Sequence, residues 1–242
     1  MSLLEVQQVS KAFGGIQALT SCSLSVEKGS ITGLIGPNGS GKTTLFNVIT
    51  GYDSVDAGDI RLGGNDITRA KPDRVFSMGI GRTFQLTRVF QRLTVLENMH
   101  VALPRKVRGL LLHWGSPHEQ TRALELLDFV GLTKLKDQPA GTLSYGQKKL
   151  LEFAIILVAE PKLILLDEPA GGVNPTMINE LGSRIRALNE KGITFLVVEH
   201  NMEFVMGLCK TVNVLHRGTT IASGSPDEVR LNPAVLDAYL GA

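Results

Sequence analysis

The stretch "ITGLIGPNGSGKTTLFNVITG", Ile31 to Gly51, decides how the rest of the chain is read. It opens on a short apolar run that reads as a buried strand, and it closes on a helical run, "TTLFNVITG", that stops at Gly51. Between them "GPNGSGKTT" fits the pattern G-x-x-x-x-G-K-[ST] in the strand–loop–helix setting the pattern requires. Gly36, Gly39 and Gly41, with Pro37, Asn38 and Ser40 between them, let the backbone curl so that successive N–H groups face inward around phosphate oxygens. Lys42 supplies a mobile charge to the outer phosphates, Thr43 a hydroxyl to Mg2+, and Thr44 continues the loop into the helix. The other reading, a glycine-rich turn with a chance lysine, leaves both flanks unexplained.

Further along, "KLILLDEP" has an unbroken aliphatic run with no polar face, as expected of a strand buried on both sides. It ends in Asp167 and Glu168, and the carboxyl ends of such strands are where α/β sheets bind ligands. A strand ending in two acids is ordinarily a solvated strand end. With a phosphate loop upstream, Asp167 reads as a holder of the Mg2+ hydration shell, and Glu168 as the group that orients or deprotonates an attacking water. "NEKG", Asn189 to Gly192, lacks the aspartate of a guanine-reading NKxD element, which points to ATP over GTP.

"LSYGQKK", Leu143 to Lys149, puts a serine and a glycine at the start of a helix expected to run through Ala159. The first N–H groups of a helix have no internal partners, so this is a second anion site in a chain that already has one.

The remaining pattern alternates strands and helices. "LLEVQQV" and "SLSVEKGSITGLIG" read as strands turning at Lys28-Gly29, and "GDIRLGG" as another. Leu93 to about Val130 reads as helical, most clearly in "HEQTRALELLDFVGL". "INELGSRIRALNEKG" is a helix, "ITFLVVEH" a buried strand, "TVNVLHRGTTIASG" a hairpin, and Pro226 and Pro233 introduce two short helices. The expected fold class is α/β with a largely parallel central sheet, interrupted by a helix-only middle. The division is a nucleotide-binding core, 1–85 and 151–242, around a helical subdomain, 86–150.

The bulk properties of the 242 residues exclude several classes: 43% hydrophobic and 20% charged is ordinary globular composition, and a net charge of +2 gives no reason to expect nucleic acid. The first residues, "MSLLEVQQVS", do not look like a signal peptide. The longest apolar run, "FAIILVA", is far short of the ~20 residues that span a bilayer. Cys22 and Cys209 lie far apart outside any CxxC and read as two reduced thiols of a cytoplasmic protein.

Phosphate loop, Gln85, "LSYGQ", "LILLDE" and His200 follow one another in the order and spacing of the ATP-binding subunits of ABC transporters, which the chain resembles over essentially its full length. The resemblance implies a P-loop NTPase core with a mostly parallel sheet, an N-terminal antiparallel β subdomain and an inserted helical subdomain. It implies that Phe13 stacks on adenine, that Gln85 touches Mg2+ or water and links the subdomains, and that His200 contacts the γ-phosphate. Alone, Phe13 would read as a core aromatic and Gln85 as a loop residue. The other histidines, His100, His113, His118 and His216, have no ligand-like spacing. The resemblance also implies that Ser144, Gly146 and Gln147 cap the γ-phosphate of ATP held by a second ATP-binding subunit. The chain would then drive separate membrane permease subunits from the cytoplasmic face of the membrane, serving an extracellular solute-binding protein indirectly.

One departure concerns "PAGGVNP", where many members carry an aspartate and this chain has Asn174. That feature, "GRTFQLTRVFQRLTVLENMHVALP" and the ending "SPDEVRLNPAVLDAYLGA" resemble the subgroup importing branched-chain and related amino acids. Similar tails occur in lipopolysaccharide-export ATPases, but the Arg82–Gln85 run and the 102–120 insert favour the amino-acid group. A soluble ABC ATPase would carry two cassettes or a coiled-coil insertion. A non-catalytic regulator would not keep Lys42, Asp167, Glu168 and His200 together. "PRKVRGLLLHWG", Pro104 to Gly115, combines Arg105, Lys106 and Arg108 with Leu110–Leu112 and Trp114; it reads as a solvated hairpin or as a segment near the anionic inner leaflet or a membrane subunit.

Overall fold

The computed structural model describes residues 1–103 and 117–240, so the segment Pro104–Gly115 lies outside the described residues. Two sheets organise the chain. The first is antiparallel, in the order β2-β1-β4-β5, from β1 (Ser2–Phe13), β2 (Ile16–Glu27), β4 (Ala57–Leu62) and β5 (Asn65–Asp66). The second has the order β10-β9-β3-β8-β7-β6, with β3 (Ile31–Ile35), β6 (Ile80–Arg82), β7 (Leu163–Asp167), β8 (Thr194–Val198), β9 (Thr211–His216) and β10 (Thr219–Gly224). Its strands pair in parallel from β6 to β9, and only β10, the return strand of a hairpin, runs antiparallel.

The central strands are buried end to end because each face has its own core. Ile164 and Leu166 of β7 and Phe195 and Val197 of β8 face a core shared with α4 (Pro117–Phe129), α5 (Tyr145–Leu157) and α6 (Pro175–Glu190). Leu163, Leu165, Leu196 and Val198 face the other core, shared with β1, β2, β4 and α1 (Lys42–Ile49). At roughly 25 cal/mol per Å2 of apolar surface removed from water, these two clusters are the main favourable term holding the sheet in place.

The helical pattern read from Leu93 to about Val130 is borne out in its described parts, Val95–Val101 and α4, but the middle of the chain is not helix-only. Phe84 to Leu93 is loop, α3 (Val95–Val101) is short, and two 3-10 turns, Thr133–Leu135 and Ala140–Thr142, precede α5, which stops at Leu157 rather than Ala159. α2 (Pro72–Ser77), β6 and α7 (Met202–Leu208) are additional short elements; α8 (Pro226–Leu231) and α9 (Pro233–Leu240) begin at their prolines. Both cysteines are buried and unpaired, and burial pushes the Cys209 thiol up to about 12. Among the described residues no helix is long and apolar enough to cross a membrane.

Candidate nucleotide site

The parallel sheet delivers four chain segments to one edge: β3 runs into Gly36, β6 toward Gln85, β7 into Glu168 and β8 into His200. At Gly36, φ is 153° and a Cβ would collide with the Leu215 carbonyl, so the turn out of β3 accepts only glycine. Gly41 caps α1 in the left-handed region, with no side chain on the first N–H groups of the helix, which stay available to an anion. Lys42 is buried, and its Nζ donates to Gly36 O at 2.7 Å and Pro37 O at 2.9 Å. Burial lowers the Lys42 pKa, against the opposing pull of Glu168 and Asp167, which places the two carboxylates within electrostatic reach of the loop. Thr43 is exposed at the helix start, with Thr44 beside it half-buried.

Asp167 is held from two sides. Its backbone N–H donates to Thr83 Oγ1 at 3.0 Å, and Arg82 donates to Asp167 Oδ2 at 3.0 Å, both side chains being 6% exposed. The other arm of Arg82 donates to Asn47 Oδ1 at 2.7 Å on α1, so one guanidinium joins the phosphate-loop helix to the carboxylate strand. Burial raises the Asp167 pKa, with Arg82 opposing it. Glu168 sits in the left-handed region at φ 48°, its N–H donating to Val198 O at 2.9 Å, which turns the carboxylate out of the sheet. There Gln85 Nε2 donates to Glu168 Oε2 at 3.0 Å and His200 Nδ1 lies 3.7 Å from Oε1. Two residues far apart in sequence, Gln85 and His200, thus meet at the Glu168 carboxylate.

Phe13 is at the tip of the β1–β2 hairpin, 45% exposed, with Lys11 Nζ 5.2 Å from its ring centroid. An exposed ring beside a cation is available to a base, and β2 abuts the phosphate loop where Gly41 packs on Ala18.

Ser144 is the N-cap of α5 in a capping box: its Oγ accepts from Gln147 N at 3.3 Å, and Gln147 Oε1 accepts from Ser144 N at 2.9 Å. The hydroxyl proton of Ser144 remains for another acceptor. A Cβ on Gly146 would displace the end of the Met177 side chain of α6, which packs over this glycine. Among the described residues no hydrogen bond links Ser144, Gly146 or Gln147 to the phosphate loop.

The profile of the ABC transporter family matches residues 19–171, well over half of the chain. The chain belongs to the ABC transporter family. It is an ATP-binding protein and an ABC-type ATPase. A second profile, the branched-chain amino acid ATP-binding cassette transporter, matches residues 219–242. Among curated relatives, the probable branched-chain amino acid transport ATP-binding protein LivG of Archaeoglobus fulgidus is 39% identical, with 100% of this chain and 96% of that protein covered. The ADP conformation of an ATP-binding cassette of an ABC transporter superposes with a TM-score of 0.88 at 36% identity, covering 100% of both chains. A dimeric ATP-binding cassette in a post-hydrolysis state, bound to ADP and Pi, superposes at 0.79 and 25% identity, covering 92% of this chain and 98% of that one.

Several residues around the ATPase site have no role assigned to them by the sequence reading. Arg82 is one. Glu199, 1% exposed, accepts from Ala170 N at 2.6 Å and His200 N at 3.1 Å, binding the loop after Glu168 to the loop that carries His200. Tyr145, Lys149 and Glu152 of α5 are others. An acid inside the apolar run "LLEFAIIL" or "FLVVEH" is the sequence signal for the two glutamates, since an unpaired buried carboxylate is costly. Asn174 Oδ1 accepts from Met177 N at 2.9 Å and caps α6, a task an amide carbonyl performs as well as a carboxylate.

Proposed function

We propose that this ABC ATPase drives the import of branched-chain or related amino acids through separate membrane permease subunits. Its working form is a pair with a second ATP-binding subunit at the cytoplasmic face of the membrane, fed by an extracellular solute-binding protein. The substrate class is supported by full-length similarity to an amino-acid transport relative and by the match of residues 219–242. The observation that carries the motor reading is the convergence of Gln85 and His200 on Glu168, beside Lys42 and Asp167.

In this reading Phe13 stacks on adenine, and the loop from Gly36 to Thr44 holds the phosphates with backbone N–H groups. Lys42 leaves the carbonyls of Gly36 and Pro37 for the phosphoryl oxygens. The donors fit Mg2+: Thr43, Gln85 and Asp167 present hard oxygens, Arg82 engages only Oδ2 of Asp167, and Mg2+ takes one or two protein oxygens plus substrate phosphates. When bound there, the ion neutralises charge on the phosphoryl oxygens. Glu168 aligns a water for in-line attack and takes its proton, Gln85 holds that carboxylate and the water in register, and His200 reports the γ-phosphate. Ser144, Gly146 and Gln147 cap the triphosphate bound by the partner. A helix N-terminus contributes roughly 0.3–1 kcal/mol to an anion, up to ~2 when partly buried, so the pair adheres while the γ-phosphate is present and loosens when it leaves. The core is assigned to 1–85 and 151–242, and the moving helical unit to 86–150.

The test is Glu168→Gln, in liposomes holding the chain with the membrane subunits that co-purify with it. Wild type should show ATP-dependent leucine uptake. The variant should bind ATP, retain it, and lose ~10²–10⁴-fold in turnover, the usual cost of a missing general base. Turnover near the wild-type rate removes Glu168 from the role of base. Wild-type hydrolysis without uptake of any branched-chain amino acid overturns the substrate.

A further inference from the structure

Tyr145, Lys149 and Glu152 fall at positions i, i+4 and i+7 of α5, one stripe along the helix, and the stripe faces the catalytic loops of its own chain. Tyr145 Oη donates to Gln85 O at 3.1 Å. Lys149 Nζ donates to Glu168 O at 2.6 Å and Gly171 O at 2.8 Å. Glu152, 4% exposed, accepts from the N–H of Arg88 at 3.1 Å and from that of Phe84. The loop is stiffened further where Arg88 lies 3.7 Å over the Phe84 ring and Arg82 stacks at 5.1 Å. The backbone is therefore gripped on both sides of Gln85 and directly after Glu168, in each case by the helix whose first turn carries Ser144.

We propose that Tyr145, Lys149 and Glu152 are positioning residues that link the start of α5 to the catalytic loops of the same chain, so that engaging the partner's nucleotide sets Gln85 and Glu168 in the chain's own site. The inference rests on the reading that Ser144 and Gly146 serve the partner's ATP. Two features support a transmitting role over simple packing. Tyr145 is 42% exposed, so its ring fills no core, yet its hydroxyl reaches the carbonyl of Gln85 itself. Lys149 spends its ammonium on backbone carbonyls of the loop rather than on a salt bridge, and burial lowers its pKa. Each contact fixes loop backbone and leaves the Gln85 and Glu168 side chains free for the reaction. In a symmetric pair the linkage runs both ways, and each site then senses the other's occupancy.

The experiment is steady-state ATP hydrolysis by the full chain as Tyr145→Phe, with Glu152→Gln as a second variant, each also in the Glu168→Gln background. Tyr145→Phe keeps the ring and removes one hydrogen bond, so kcat should fall about three- to tenfold. KM for ATP should stay within about twofold, as expected when nucleotide binding is untouched. The Hill coefficient for ATP should drop toward one. Glu152→Gln leaves one acceptor for two N–H groups and should move both quantities the same way. In the Glu168→Gln background both variants should still form the ATP-dependent pair, since the cap itself is intact. Wild-type kcat and Hill coefficient in Tyr145→Phe overturn the proposal. So does loss of the ATP-dependent pair in step with kcat, which would make Tyr145 part of the cap itself. If Glu168→Gln alone fails to pair with ATP, the functional reading fails instead, and the two failures are told apart by that control.

Discussion

Glu168 shows how much of this site is decided by a single backbone conformation: in the left-handed region, it turns its carboxylate from the sheet edge to Gln85 and His200. The cost of such a non-glycine residue, of order 1 kcal/mol or more, is the kind of strain that clusters at functional sites. Glu152 makes the same point electrostatically. Desolvation raises its pKa from 4.5 to about 7, the two backbone N–H donors and the charges of Lys149 and Arg88 opposing it. A carboxyl with a raised folded pKa folds best when protonated. The penalty is absent below pH 4.5, grows as the unfolded chain ionises first, and is complete above about pH 7. At 1.36 kcal/mol per pKa unit that is roughly 3 kcal/mol. Glu152→Gln should therefore gain stability relative to wild type in urea melts at pH 8 and lose that advantage at pH 4.5, even while its turnover falls. A stability difference that is the same at both values would show that Glu152 ionises alike in the folded and unfolded chains, its pKa not raised by the fold. Stability given up at a residue that serves activity is a common trade.

At the scale of elements, the parts that are legible in the sequence are those with strong local signals. The phosphate loop sits between a strand and a helix of unmistakable pattern, and β7 and β8 are unbroken aliphatic runs because each side of the sheet has its own core. β6 is illegible: "IGR" has three residues and no pattern, and it is a strand only because β7 offers it an edge. α2 and α7, six and seven residues long, are too short for a helical period to register. α3 has a readable start, Thr94 and Glu97 forming a capping box. Of the nucleotide site, the titrating and phosphate-binding residues are visible as motifs. Their supports are not, since Arg82 against Asp167 and Tyr145 against Gln85 are pairings between segments that only the folded sheet brings together. Asn174 belongs to this scale too. It caps α6, so Asn174→Ala should lower stability by about 1 kcal/mol in urea, with Asn174→Asp near wild type, because the cap needs a side-chain oxygen and not a charge. No loss in Asn174→Ala would mean that α6 does not depend on this cap, and a loss in Asn174→Asp equal to that in Asn174→Ala would mean that an oxygen alone does not serve it.

At the scale of the whole molecule, the chain has two anion-binding helix starts, at α1 and α5, and among the described residues no hydrogen bond joins their loops. In the proposed function one start serves the chain's own ATP and the other the partner's, so each site in a two-fold pair would be built from both subunits. The α5 stripe then ties each half-site to the other within one chain. The most direct measurement is a mixing experiment. One chain carries Lys42→Ala and the other Ser144→Arg, both with Glu168→Gln so that closed pairs accumulate. Each alone has both composite sites damaged and should pair poorly with ATP. In the mixed pair both lesions fall in one site, and the other joins an intact phosphate loop to an intact cap. Mixing differently tagged chains should therefore restore an ATP-dependent heterodimer with occluded nucleotide on gel filtration. Recovery no better than that of either variant alone would mean that each chain completes its own site, and would contradict the account.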